Sequence, residues 1–89
     1  MTKKRTRLEV IKDILSVLYN GRDVKITHLI YKANLSNNSI KPYVKELLEN
    51  QLMEEIRTKN KRTYKITEKG KDFLEEFEKI KIFSEAYGL

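Results

Sequence analysis

Ser36 constrains this chain more than any other single residue, because it opens a helix whose two faces are built for different surroundings. Its hydroxyl suits an N-cap, accepting a hydrogen bond from a backbone N–H that the first helical turn leaves free. Leu35 stands at N′ and Ile40 at N4, the spacing of a hydrophobic staple that fixes how the chain enters a helix. Ile40, Val44, Leu47 and Leu48 then recur at i, i+4, i+7 and i+8 and make one apolar stripe. The other face of the stretch from Leu35 to Met53 carries Asn38, Ser39, Lys45 and Glu49, with Lys41 on its flank. Amides, hydroxyls and ammonium groups reach base edges and phosphates in a groove, and they also clothe ordinary surface helices. The neighbouring segments decide between the two.

Before this helix, Leu8, Ile11, Ile14, Leu15 and Leu18 predict a first helix from about Thr6 to Tyr19, ended by Gly21. Val24-Lys25-Ile26 reads as a minimal strand. Thr27 is positioned to cap a short helix from His28 to Ala33, with Leu29, Ile30 and Ala33 turned inward. Asn34 suits the left-handed residue at which the chain turns. Two helices meeting at the Asn34-Leu35 corner form a helix-turn-helix.

After it, Met53–Thr58 and Thr63–Ile66 predict a hairpin with the tip Lys59-Asn60-Lys61-Arg62, where Asn60 can take positive φ. Met53 and Ile56 have opposite parity, so a bulge or a late strand start is expected. Thr67 caps a last helix that runs to about Ala86, with Glu68 in its first turn. Gly70 falls inside that helix at a cost of about 1 kcal/mol relative to Ala, which points to close approach of another element. Pro42 is the only proline, and no repeat or linker is visible.

The 89 residues suffice for one domain with its own core. No cysteine is present, which excludes disulfides and thiolate metal sites. No apolar run approaches a membrane span, and the basic start MTKKRTR leads into an amphipathic helix, so a cytoplasmic protein is expected. The net charge of +6 is unevenly spread: residues 1–12 balance at +4, residues 53–67 at +3 and residues 68–89 at −2. That segregation favours a polyanionic partner.

Enzymatic chemistry has little to stand on. His28 is the single histidine, and Glu75, Glu76 and Glu78 lie among lysines on a solvated helix face. No phosphate loop, nucleophile constellation or metal spacing occurs, so no cofactor, metal or small-molecule substrate is expected.

The segments Ala33-Asn34-Leu35-Ser36, Tyr43-Val44-Lys45 with Leu47-Leu48, and Tyr64-Lys65-Ile66-Thr67-Glu68-Lys69-Gly70 resemble the winged helix-turn-helix fold. With the opening KKRTRLEVIKDIL, they are similar to small archaeal winged-helix proteins of the chromatin-associated or regulatory DNA-binding class. The resemblance implies an α+β, mainly α fold: a three-helix core with a β-hairpin wing, plus a C-terminal amphipathic helix. It divides the chain into a winged domain with a basic N-terminal arm (1–67) and a dimerisation helix (68–89). It implies binding of double-stranded DNA through a recognition helix at 36–50 and a wing at 57–65. The groove-facing candidates are Ser36, Asn37, Asn38, Lys41 and Lys45. Wing contacts fall to Arg57, Lys59, Lys61 and Arg62, and arm contacts to Lys3, Lys4 and Arg5. Pro42 departs from the pattern, since it predicts a distorted first turn or a helix that starts nearer Ser39. A protein-interaction module and an RNA binder remain the alternatives.

In the last helix Gly70, Phe73, Phe77, Ile80, Ser84 and Tyr87 are spaced as an a/d seam. Phe77, Ile80, Phe83 and Tyr87 lie too far out to be covered by so small a body, and a homodimer through them is expected. The family's last helix commonly continues as a longer antiparallel coiled coil.

Overall fold

The computed structural model describes residues 5–89. Helix α1 (Arg7–Asn20) begins at Thr6, whose hydroxyl accepts from the Glu9 N–H while the Glu9 carboxylate accepts from the Thr6 N–H. This capping box settles two donors that the helix cannot use. Val10, Ile11, Ile14, Leu15 and Leu18 of α1 are buried. Leu8, expected in that stripe, is 54% exposed. It lies on the edge of the stripe in the first turn, and the core extends around the other side of the helix to Val10.

Strand β1 (Val24–Lys25) runs directly into α2 (Ile26–Lys32). The helix therefore starts before the expected Thr27 cap, and its N-cap, Lys25, makes no side-chain capping bond. β-Pairing already holds the chain at Val24 and Lys25, so a side-chain cap is not needed to fix the entry.

The corner between α2 and α3 (Asn37–Glu49) is a Schellman motif. Leu35 N–H donates to the Ile30 carbonyl at 2.9 Å and Asn34 N–H to the Tyr31 carbonyl at 3.3 Å. Asn34 takes φ 56°, as its position in the sequence predicts. The exit from α3 repeats the device, with Leu52 N–H to the Leu47 carbonyl at 2.9 Å, Gln51 N–H to the Leu48 carbonyl at 3.1 Å, and Gln51 at φ 60°. Two left-handed residues thus set the angles at which α3 enters and leaves.

Pro42 does not break α3. Ser36 remains the N-cap, accepting from the Ser39 N–H at 3.1 Å, and the helix starts at Asn37 rather than near Ser39. The cost of the proline is one missing hydrogen bond to the Asn38 carbonyl, which lies on the exposed side of the helix where water can replace it.

Strands β2 (Met53–Thr58) and β3 (Lys61–Ile66) pair without a bulge, from Met53 opposite Ile66 to Thr58 opposite Lys61. The mismatch in parity resolves differently from expectation. Met53, Tyr64 and Ile66 face the core, while Ile56 lies opposite Thr63 on the other face of the sheet. The tip shrinks to Lys59-Asn60, and Asn60 is not among the residues with positive φ. β1 completes an antiparallel sheet in the order β1-β3-β2.

Helix α4 (Glu68–Ala86) is capped by Thr67, whose Oγ1 accepts from the Gly70 N–H and donates to the Gln51 carbonyl at 2.7 Å. One hydroxyl thereby joins the end of α3 to the start of α4. Gly70 is buried, and a Cβ there would run into the Leu52 carbonyl oxygen and Ile66 Cγ1. Phe73 and Leu74 pack on the core formed by α1, α2, α3 and the sheet. The outer half of α4 borders an open groove against the start of α1, and Ile80, Phe83 and Tyr87 are each more than 60% exposed.

Candidate nucleic-acid interface

The buried stripe of α3 dictates what its other side can present. Ile40 and Leu47 are buried, and Tyr43, Val44 and Leu48 are half-buried against the core. Asn37, Asn38, Lys41 and Lys45 are all exposed. At about 100° per residue, Asn37, Lys41 and Lys45 follow one flank of the helix, and Asn38 lies on its outward face. Ser36 is differently employed, because its hydroxyl is committed to the Ser39 N–H and bonds the Ser39 hydroxyl at 2.9 Å.

The wing is sorted by strand alternation. Arg57 and Arg62 are directly opposed, on the same face as Tyr64. This is the face turned toward α3: Arg62 and Tyr64 line a groove together with Asn37, Lys41 and Lys45, over a floor that includes Ile26, Val44 and Leu48. Residues from the helix and the wing, 17 or more positions apart in sequence, therefore share one concave surface. Lys61 falls on the opposite face, opposite Thr58, and Lys59 is at the tip. Among the described residues neither Lys59, Lys61, Lys41 nor Lys45 has an acidic partner within ion-pair distance.

Negative charge near the groove is restrained. Glu46 turns away from Lys45 toward α1 and is held there by an ion pair with Arg7. The hydrogen bond and charge of Glu46 raise the Arg7 pKa above its ordinary value. Glu55, which has no place among the residues expected from the sequence, reaches two wing arginines: its carboxylate lies 2.8 Å from Arg57 Nε and 3.8 Å from Arg62 Nη1. Its parity with Arg57 along β2 is the signal that places all three on one face.

Lys3 and Lys4 lie outside the described residues. Arg5 is engaged with the body, donating to Asp13 Oδ2 at 2.7 Å and to the Asn34 carbonyl at 3.0 Å. It ties the start of the chain to the helix-turn-helix corner. No groups of acidic and histidine side chains arranged to hold a metal occur among the described residues, and none of the described helices is long and apolar enough to cross a membrane.

The winged helix-turn-helix family model matches residues 4–85. Among solved structures, Sso10a-2, a DNA-binding protein from Sulfolobus solfataricus, is similar at 28% identity and TM-score 0.80, over 94% of this chain and 87% of that one. A MarR family protein from Bacillus stearothermophilus shares the fold at 21% identity and TM-score 0.71, over 94% of this chain and 60% of that one. ZitR from Lactococcus lactis does so at 18% identity and TM-score 0.69, over 97% and 64%. No curated protein matches the sequence. Its described residues form four helices and an antiparallel three-stranded sheet, and with a family match over residues 4–85 the chain belongs to the winged helix-turn-helix family.

Proposed function

We propose that this protein binds duplex DNA, with α3 in the major groove and the wing against the adjacent backbone. The observation that carries the reading is the shared groove: Asn37, Lys41 and Lys45 of α3 converge with Arg62 of the wing, while Lys59 at the tip and Lys61 on the other face of the hairpin add cations without acidic partners among the described residues. A helix enters a major groove readily, and cations on its flank and on a projecting hairpin meet the two bordering phosphate strands. The likeness to Sso10a-2, described as DNA-binding, supports the same role at 28% identity. Lysine point charges dominate the surface, so most contacts are to phosphate and independent of sequence. Asn37 and Asn38 are the side chains suited to adenine edges. The role is that of a transcriptional regulator or a chromatin-associated, architectural protein of the nucleoid. Lys3, Lys4 and Arg5 complete the set of phosphate contacts proposed here, Arg5 by exchanging Asp13 for a phosphate.

Competition of a labelled duplex against unlabelled duplex DNA and duplex RNA tests this reading. Displacement by DNA at far lower concentration than by RNA is expected. Preferential displacement by RNA would make the protein an RNA binder, and no binding at low salt would favour a protein-interaction module. Selection from random oligonucleotides then separates a regulator from an architectural role.

The outer half of α4 supports a second element of the proposal, a homodimer. Ile80, Phe83 and Tyr87 lie along one side of the helix, with the Phe83 and Tyr87 rings 4.8 Å apart, and most of their surface is open. Phe77, half-buried beside them, links this strip to the packed half of the helix. A second copy of α4 laid along the strip removes it from water and sets two recognition helices and two wings on one duplex.

A further inference from the structure

We infer that Glu55 is a built-in competitor for the phosphate backbone, holding Arg57 and Arg62 of the wing until DNA displaces it. The inference rests on the DNA-binding reading and adds a residue that sets its strength. Arg57 and Arg62 are opposed on the hairpin, an arrangement that like charges make unfavourable unless an anion lies between them. Glu55 supplies that anion, with one oxygen 2.8 Å from Arg57 Nε and the other 3.8 Å from Arg62 Nη1. A phosphate offers the same geometry: an anion whose separate oxygens accept from two guanidinium groups. The carboxylate is about one-quarter exposed while both arginines are more than half exposed, so an incoming phosphate meets the arginines first. The pair is therefore open to exchange, as exposed ion pairs generally are.

Glu54 provides the control that charge alone demands. It adjoins Glu55 in β2 but points to the other face, where it pairs with Lys65 at 3.7 Å. Glu54→Gln and Glu55→Gln change the net charge equally, yet only the second frees the two arginines on the α3 side. The arginine–phosphate contacts of the complex are the same with and without Glu55, so removing it raises affinity only by the strength of the exposed pairs that DNA would otherwise open, about two- to fivefold.

The experiment measures duplex DNA affinity of the full chain and both variants at several salt concentrations, with the arginine Nε–Hε resonances followed in free and bound protein. Glu55→Gln is expected to bind about two- to fivefold more tightly than Glu54→Gln, with the same salt slope, because both complexes neutralise the same phosphates. Its Arg57 Nε–Hε resonance should shift in the free protein and not in the complex. Equal affinities for the two variants would overturn the inference and leave DNA binding standing, since net charge then explains everything. Weaker binding by Glu55→Gln would also overturn it, because Glu55 would then be ordering the wing for binding. A parent and variants that all ignore the duplex would overturn the DNA-binding reading and this inference with it.

Discussion

The carbonyl of Leu52 closes over Gly70 so tightly that no side chain fits between the end of α3 and the first turn of α4. A Cβ at Gly70 would also meet Ile66 Cγ1 at 2.6 Å. The contact brings the wing, α3 and α4 to one point, beside the Thr67 hydroxyl that already joins two of them. Backbone cannot withdraw as a flexible side chain can, so overpacking here costs about 1–3 kcal/mol. The roughly 1 kcal/mol that alanine gains over glycine in a helix offsets only part of it. Gly70→Ala is expected to lower the stability measured by urea unfolding by about 1–2 kcal/mol, and Gly70→Val by more. An unchanged midpoint for both variants would show that α4 can slide away from Leu52.

The two left-handed corners predict opposite outcomes for two similar substitutions. Asn tolerates positive φ better than other non-glycine residues, whereas Gln has no such aptitude. Gln51→Gly is expected to stabilise by up to about 1 kcal/mol, and Asn34→Ala to destabilise by about the same amount. Thermal unfolding of each checks the sign, and about 1 kcal/mol moves the midpoint by roughly 4–8 °C in a domain of this size.

Pro42 lies in an intact helix, so replacing it should cost nothing and restore a bond. Pro42→Ala is expected to raise stability by about 1–3 kcal/mol, through the recovered bond to the Asn38 carbonyl and relief of the ring. A drop in stability on urea unfolding would mean that the ring contributes packing which outweighs both.

The exposed end of α4 predicts self-association that added charge can abolish. Phe77→Glu with Ile80→Glu is expected to sediment at 10.6 kDa at every concentration, while the parent gains mass as concentration rises. A parent that stays monomeric throughout would remove the dimer.

What is legible in the sequence follows local rules, and what is not depends on neighbours. Ser36, Thr67 and Asn34 act through bonds within a few residues, and each does what its type and place predict. Leu8 reads as core because its spacing fits the stripe, but whether another element covers the first turn of α1 is a tertiary matter. Thr27 yields its cap role because β1 pairs with β3 across 38 or more residues. Gln51 carries no mark of left-handed backbone, so the turn into the wing has no local signature. The basic residues of the site can be named individually, whereas their arrangement requires the hairpin register, which sets Arg62 facing α3 and Lys61 facing away. Glu55 is silent for the same reason, since a lone acid in a basic segment has no meaning until its face is known.

The central claim is that α3 and the wing hold DNA chiefly by its phosphates, and the salt dependence of affinity tests it most directly. Duplex binding by the parent and by Lys59→Ala/Lys61→Ala/Arg62→Ala should be measured over a range of salt concentrations on several unrelated sequences. Parent affinity should fall steeply with salt. The triple variant should bind more weakly on every sequence, with a log–log slope reduced by about 1 for each phosphate it no longer neutralises. A triple variant that matches the parent in affinity and slope would contradict the account.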